Sequence, residues 1–120
     1  MAKYDQTFAA LKSLLAPYEP RLHVSADAPT TYMLDGEYAE QFKRPMFFAG
    51  VRSGKNYVSF YLMPVYSNPE LMGRISDSLR RRLHGKPCFN FTRPEPELFD
   101  ELRDLVASGF TCYERLGYVK

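Results

Sequence analysis

Several groups of residues have the side chains and spacing for chemistry. Glu97, Glu101 and Asp104 stand at i, i+4 and i+7 with Asp100 alongside, so they share a helix face. Carboxylates placed this way can hold hard or borderline cations such as Mg²⁺, Mn²⁺ or Fe²⁺. The same acids suit the first turns of a helix, where they complement its dipole, and Arg103 stands among them as a partner. A basic run of Arg80, Arg81, Arg82 and His84 offers the opposite charge. Consecutive helical residues point in different directions, however, and positive charge before Gly85 suits a helix C-terminus. Lys55, Lys86 and Arg93 would have to join the run to make a phosphate-binding surface, so nucleic acid is not the expected partner. Cys88 with His84 and Asn90 has the residue types of a nucleophilic site, which needs a base within reach and a depressed thiol pKa. Pro87, Phe89 and Phe91 around it read instead as a packed strand, and no residue is assigned a catalytic role. His23 stands alone, and two distant histidines make no metal motif.

The strongest chemical signal is aromatic. Residues 46–66, MFFAGVRSGKNYVSFYLMPVY, are rich in Phe and Tyr and alternate with period 2 around a turn at Ser53, Gly54, Lys55 and Asn56. Val58, Phe60 and Leu62 point one way and form the expected core face. Tyr57, Ser59, Tyr61 and Met63 point the other way, and phenol hydroxyls want polar partners. Tyr57, Tyr61, Met63 and Tyr66, with Arg52 and Lys55 at the rim and Tyr32 and Met33 nearby, are therefore the candidate ligand-binding surface. A covering helix or a homodimer interface would account for the same residues.

These side chains need elements to hold them. Tyr4, Phe8, Leu11 and Leu15 recur at helical spacing, which predicts a helix over 3–16 stopped by Pro17 and Pro20. Residues 21–34 read as two short strands around a turn at Asp27, Ala28 and Pro29. Asp35-Gly36 reads as a turn, with 37–43 as a short helical link. Strands over 45–52 and 57–64 follow, ended by Pro64. Asn68-Pro69-Glu70 and Ser76-Asp77 each signal a short helix start, and Gly85 closes the second helix, which carries Leu79 and Leu83. KPCFNF reads as the last strand. Glu95-Pro96-Glu97 then opens the longest helix, with Leu98, Phe99, Leu102, Leu105, Val106, Phe110 and Tyr113 on its apolar stripe. Gly109 is expected to kink that helix and Gly117 to end it. Strands in the middle with helices at the ends predict an α+β fold. We expect an antiparallel sheet of four to six strands packed against N- and C-terminal helices, with two short helices between.

Composition sets the class. A chain of 120 residues fits one domain over 1–120, and 45% hydrophobic with 25% charged residues is ordinary globular usage. A net charge of +2 creates no long-range field toward nucleic acid or membrane. Two cysteines are too few for a disulfide framework and fit a reducing compartment. The N-terminal apolar run is broken by Lys12 and Ser13, so no signal peptide is expected, and no apolar stretch approaches the ~20 residues of a membrane span. The expected location is cytoplasmic.

FFAGVRSGKNYVSFYLMPVY, ISDSLRRRLHGKPCFNF and LFDELRDLVASGFTCYERLGY together resemble the YdhG-like family over about residues 42–119. KNYVSFYLMPVY and GKPCFNF are its most specific elements. These are small bacterial α+β proteins, mostly of unknown function. The resemblance implies a compact sheet-and-helix domain. Some relatives are described as frataxin-like iron chaperones, which deliver iron from acidic surface patches. The first helix here offers only Asp5 before Glu19, so an iron role would fall to Glu97, Asp100, Glu101 and Asp104. The expectation is a non-enzymatic binding domain, monomeric or homodimeric, for an unknown small molecule or protein, with no cofactor required. Iron delivery and Cys88-dependent catalysis are the alternatives.

Overall fold

A ladder of apolar side chains crosses the sheet at its centre. In the computed structural model, which describes residues 3–85 and 88–119, five strands pair antiparallel in chain order. They are β1 (His23–Ala28), β2 (Thr31–Ala39), β3 (Arg44–Ser53), β4 (Val58–Leu62) and β5 (Cys88–Phe91). Tyr32 faces Val51, Val51 faces Phe60 and Phe60 faces Phe89, and all four are fully buried. Leu34, Ala49 and Leu62 form a parallel row beside them. Burying a Leu, Val or Phe side chain stabilises by roughly 1.5–3 kcal/mol, so these rows are where the sheet holds together.

Two helices cover this face. Helix α1 (Asp5–Leu15) buries Phe8, Leu11 and Leu15, and Tyr4 at its N-cap is buried with them, completing the stripe that the spacing predicts. Pro17 and Pro20 cannot supply helical N–H donors, and the chain tightens into a 3-10 turn over Ala16–Arg21. Helix α5 (Pro96–Leu116) packs beside α1, with Phe99 edge-on to Phe91 at 4.9 Å and Phe110 edge-on to Phe48 at 5.9 Å. It ends at Gly117, whose φ of 80° is the left-handed conformation that glycine adopts without penalty. The fold is α+β, a single antiparallel sheet with helices on one face. The other face carries Met33, Tyr61 and Cys88 side by side across Gly50, half-buried.

The structure departs from the sequence reading where tertiary contacts compete with local signals. Residues 37–43 form no helix. β2 runs through Asp35-Gly36 to Ala39, and a turn with Lys43 at φ 54° leads into β3. Gly36 stays in the strand because the Tyr118 carbonyl packs where a Cβ would stand, and the Glu37 amide donates to that oxygen at 2.6 Å. β4 stops at Leu62, because Pro64 sits in the first turn of a helix, α2 (Met63–Ser67), where its missing N–H costs nothing. Met63 therefore leaves the tyrosine face of the strand. Tyr32 belongs to the buried face.

Asn68 and Ser76 cap α3 (Pro69–Gly73) and α4 (Asp77–Arg80) as expected, accepting from the amides of Glu70 and Leu79. Helix α4 is shorter than its capping signals imply. Leu83 lies beyond it in a β-bridge to Phe89, fixed by His84 N–H to the Cys88 carbonyl at 2.7 Å and Asn90 N–H to the Arg82 carbonyl at 2.8 Å. Lys86 and Pro87, read as part of the last strand and of a basic patch, lie outside the described residues. Helix α5 runs unbroken through Gly109. That glycine lets Pro64 of α2 approach, since a Cβ there would stand 2.9 Å from the Pro64 Cβ.

Candidate functional site

Two register shifts bend the far end of the sheet. Between Leu34–Ala49 and Asp35–Phe47 one extra residue, Phe48, enters β3. A bulge of this kind re-aims its side chain, and Phe48 turns into the helices against Tyr18, Phe110 and Tyr113. Between Asp35–Phe47 and Tyr38–Pro45 the extra residue lies on β2, at the Gly36-Glu37 step that holds the Tyr118 carbonyl. β3 thus splays from the regular ladder, while α2 and α3 turn away on one side and the end of α5 closes the other.

The result is a groove of about 670 Å³, within the range of small-molecule clefts. Phe42, Pro45, Met46 and Phe47 come from the β2–β3 turn and β3. Met63, Tyr66 and Pro69 come from α2 and α3, and Cys112, Leu116 and Tyr118 from the C-terminal segment. Three exposed apolar side chains stand at it: Phe42 (47% exposed), Tyr66 (49%) and Leu116 (58%). Its cations are Arg44 and Arg115, and no Asp or Glu lines it among the described residues.

Fixed groups hold the walls. The Tyr113 hydroxyl donates to the Phe47 carbonyl at 2.5 Å, tying α5 to the splayed part of β3. Burial pushes that phenol well above its usual pKa, with Tyr118 and Asp35 adding to the effect and the nearby Arg44 opposing it. It is a structural donor across the physiological range. Asn68 donates to Cys112 Sγ at 3.2 Å while its Oδ1 caps α3, so one side chain joins two walls. Asp35 behind the groove has its carboxyl pKa raised by burial, with Ser25 and His23 opposing.

Of the residues expected from the sequence, the groove brings together Met63 and Tyr66. Arg52, Lys55 and Tyr57 lie at the turn end of the β3–β4 hairpin, exposed, on the other side of the regular ladder. Tyr61 sits between, half-buried on the open face opposite Gly50. Phe42, Arg44, Arg115 and Leu116 were missed. A phenylalanine inside the polar segment 37–44 was the available signal for Phe42. Of the acidic residues Glu97, Asp100, Glu101 and Asp104 on α5, two are engaged separately. Glu101 accepts from the Ser76 amide at 2.8 Å and hydroxyl at 2.6 Å, and Asp100 pairs with Arg103. Among the described residues no three His, Cys, Asp or Glu side chains are placed to hold a metal ion together. The geometry gives the iron reading no support.

Compared with protein-family models, curated proteins and solved structures, this chain matches none. The site must be read from its own chemistry. Two members of the basic run, Arg80 and Arg82, are held locally. Arg80 donates to the Met72 and Ile75 carbonyls at 3.3 Å each, and Arg82 grips Glu95 through two bonds of 2.7 and 2.8 Å. Cys88 donates to Asn90 Oδ1 at 3.3 Å, and burial raises its pKa, with only a smaller opposing effect from Ser59. A reactive thiol needs the reverse shift. Cys88 and Cys112 are both free thiols, and no helix among the described residues is long and apolar enough to cross a membrane.

Proposed function

We propose that this chain is a binding domain and that the groove between the bulged end of β3, α2–α3 and the end of α5 is its ligand site. The observation that carries this reading is the meeting of Phe42, Tyr66 and Leu116, exposed apolar side chains from three separate elements, at one concave surface. Exposed apolar side chains scattered singly are ordinary; gathered on a cleft of this volume they favour a ligand. The fixed backing of Tyr113 and Asn68 favours a preformed site, which limits the ordering cost of binding. Kinship with the YdhG-like family and a cytoplasmic location with reduced thiols belong to the same proposal.

The test is binding of the uncharged, environment-sensitive dye Nile red. Wild type should enhance its fluorescence saturably. Leu116→Asp, a change on an exposed position, should abolish the enhancement while leaving the circular dichroism spectrum intact. Tyr57→Ala should leave it unchanged. Loss in Tyr57→Ala with retention in Leu116→Asp would move the site to the turn end of the hairpin.

A further inference from the structure

We infer that the ligand of this groove is a monocarboxylate on an apolar alkyl or aryl body. The inference rests on the groove being the binding site and adds the chemical class. Arg44, from the start of β3, and Arg115, from the last turn of α5, both line it. Neither takes part in any of the ion pairs or side-chain hydrogen bonds found among the described residues. Arg21, Arg82 and Arg103, by contrast, each hold an acid.

Glu70 shares a neighbouring hollow with Arg115, and two other acids close by are already engaged. Glu114, next to Arg115, pairs with Arg21 at 3.1 Å, and Glu37 pairs with His23 at 2.8 Å. The groove therefore has two arginines and nothing anionic in its lining, together with apolar side chains that include Met46 and Met63. Guanidinium groups form charge-assisted, often bidentate, bonds with a carboxylate, which suits one anionic head. Apart from these arginines the lining is mostly apolar, matching a ligand whose remainder is hydrocarbon. A cationic amphiphile would meet like charge, and a neutral one would leave both arginines unused.

Cys112 lines the groove and supplies an internal reporter. With Cys88→Ser in the full chain, Cys112 is the remaining thiol, and its alkylation by uncharged iodoacetamide reads groove occupancy. The probes are octanoate, 1-octanol and octylammonium. Octanoate should slow alkylation at concentrations at least tenfold below those needed for octanol. Hexanoate should need roughly fifteenfold more than octanoate, because each of the two methylenes buried contributes about fourfold. In an Arg44→Gln, Arg115→Gln double variant octanoate should fall to the level of octanol, with octanol unchanged. Equal or better protection by octanol, or by octylammonium, overturns the carboxylate assignment and leaves the groove reading standing. No protection by any probe overturns both. Should Cys88→Ser fail to fold, peptide mapping of alkylated Cys112 in the wild-type chain gives the same readout.

Discussion

The two ends of this sheet obey different rules. At the turn end of the β3–β4 hairpin the register is unbroken from Ser53–Val58 to Ala49–Leu62, and the inward pairs Val51–Phe60 and Ala49–Leu62 are fully buried. At the other end two shifts between β2 and β3 put single extra residues on alternate strands, and exposed apolar side chains gather there. Regular pairing fills its own interior. Broken pairing leaves a groove that the core does not fill, and it is kept open by contacts unrelated to strand pairing: Tyr118 on Gly36, Pro64 on Gly109 and Tyr113 on Phe47.

If stability resides in the regular end, Phe60→Ala should have the largest effect. Removing a fully buried phenylalanine from the central row should cost about 3–5 kcal/mol, read as a lower denaturation midpoint with an unchanged slope. A cost below 1 kcal/mol would erase the contrast between the ends. At the groove end the decisive contact is between helices. Gly109→Ala improves helix propensity yet forces a methyl group against the stiff Pro64 ring, so it should destabilise by about 1–2 kcal/mol. Gly73→Ala, with open space around the new Cβ, should instead stabilise by up to ~1 kcal/mol. Equal melting-temperature shifts for the two variants would remove the close approach from the account.

Smaller effects sharpen the comparison. Tyr113→Phe removes the hydroxyl that donates to Phe47 and should cost about 1 kcal/mol, with faster amide exchange along the start of β3 as the local signature. The smallest effect is pH-dependent. Glu95 has its pKa lowered, first by its bond to Arg82, so its contribution is fully present above the ordinary glutamate value of 4.5 and is lost as pH falls through the depressed one. Wild type should therefore exceed Glu95→Gln in stability at pH 7, and the gap should close as pH is lowered from about 4.5. A gap that widens on acidification would reverse that assignment.

Much of this fold is legible in the residues themselves. The period-2 run Val58, Phe60, Leu62 and the helical stripe from Leu98 to Tyr113 identify their buried faces, and Asn68, Ser76 and Gly117 mark helix ends by capping chemistry that acts over a few residues. What escaped was decided at long range. Gly36 reads as a turn until the Tyr118 carbonyl is known to rest on it. Pro64 reads as a strand end, while its ring is also the knob against Gly109. The candidate site was half legible for the same reason. Strand alternation placed Met63 on one face with Tyr57 and Tyr61, and Tyr66 was grouped with them, whereas the chain leaves the strand at Leu62 and carries Met63 and Tyr66 into the groove. Arg44 and Arg115 lie far apart in sequence, and only the bulges and the end of α5 bring them to one surface.

The most direct measurement is a map of backbone amide chemical-shift changes on titrating ¹⁵N-labelled protein with octanoate. The account predicts saturable shifts concentrated in three stretches, residues 42–47, 66–68 and 112–118, with little change over 52–57. Shifts concentrated over 52–57 and at Tyr61, with the groove silent, would contradict it.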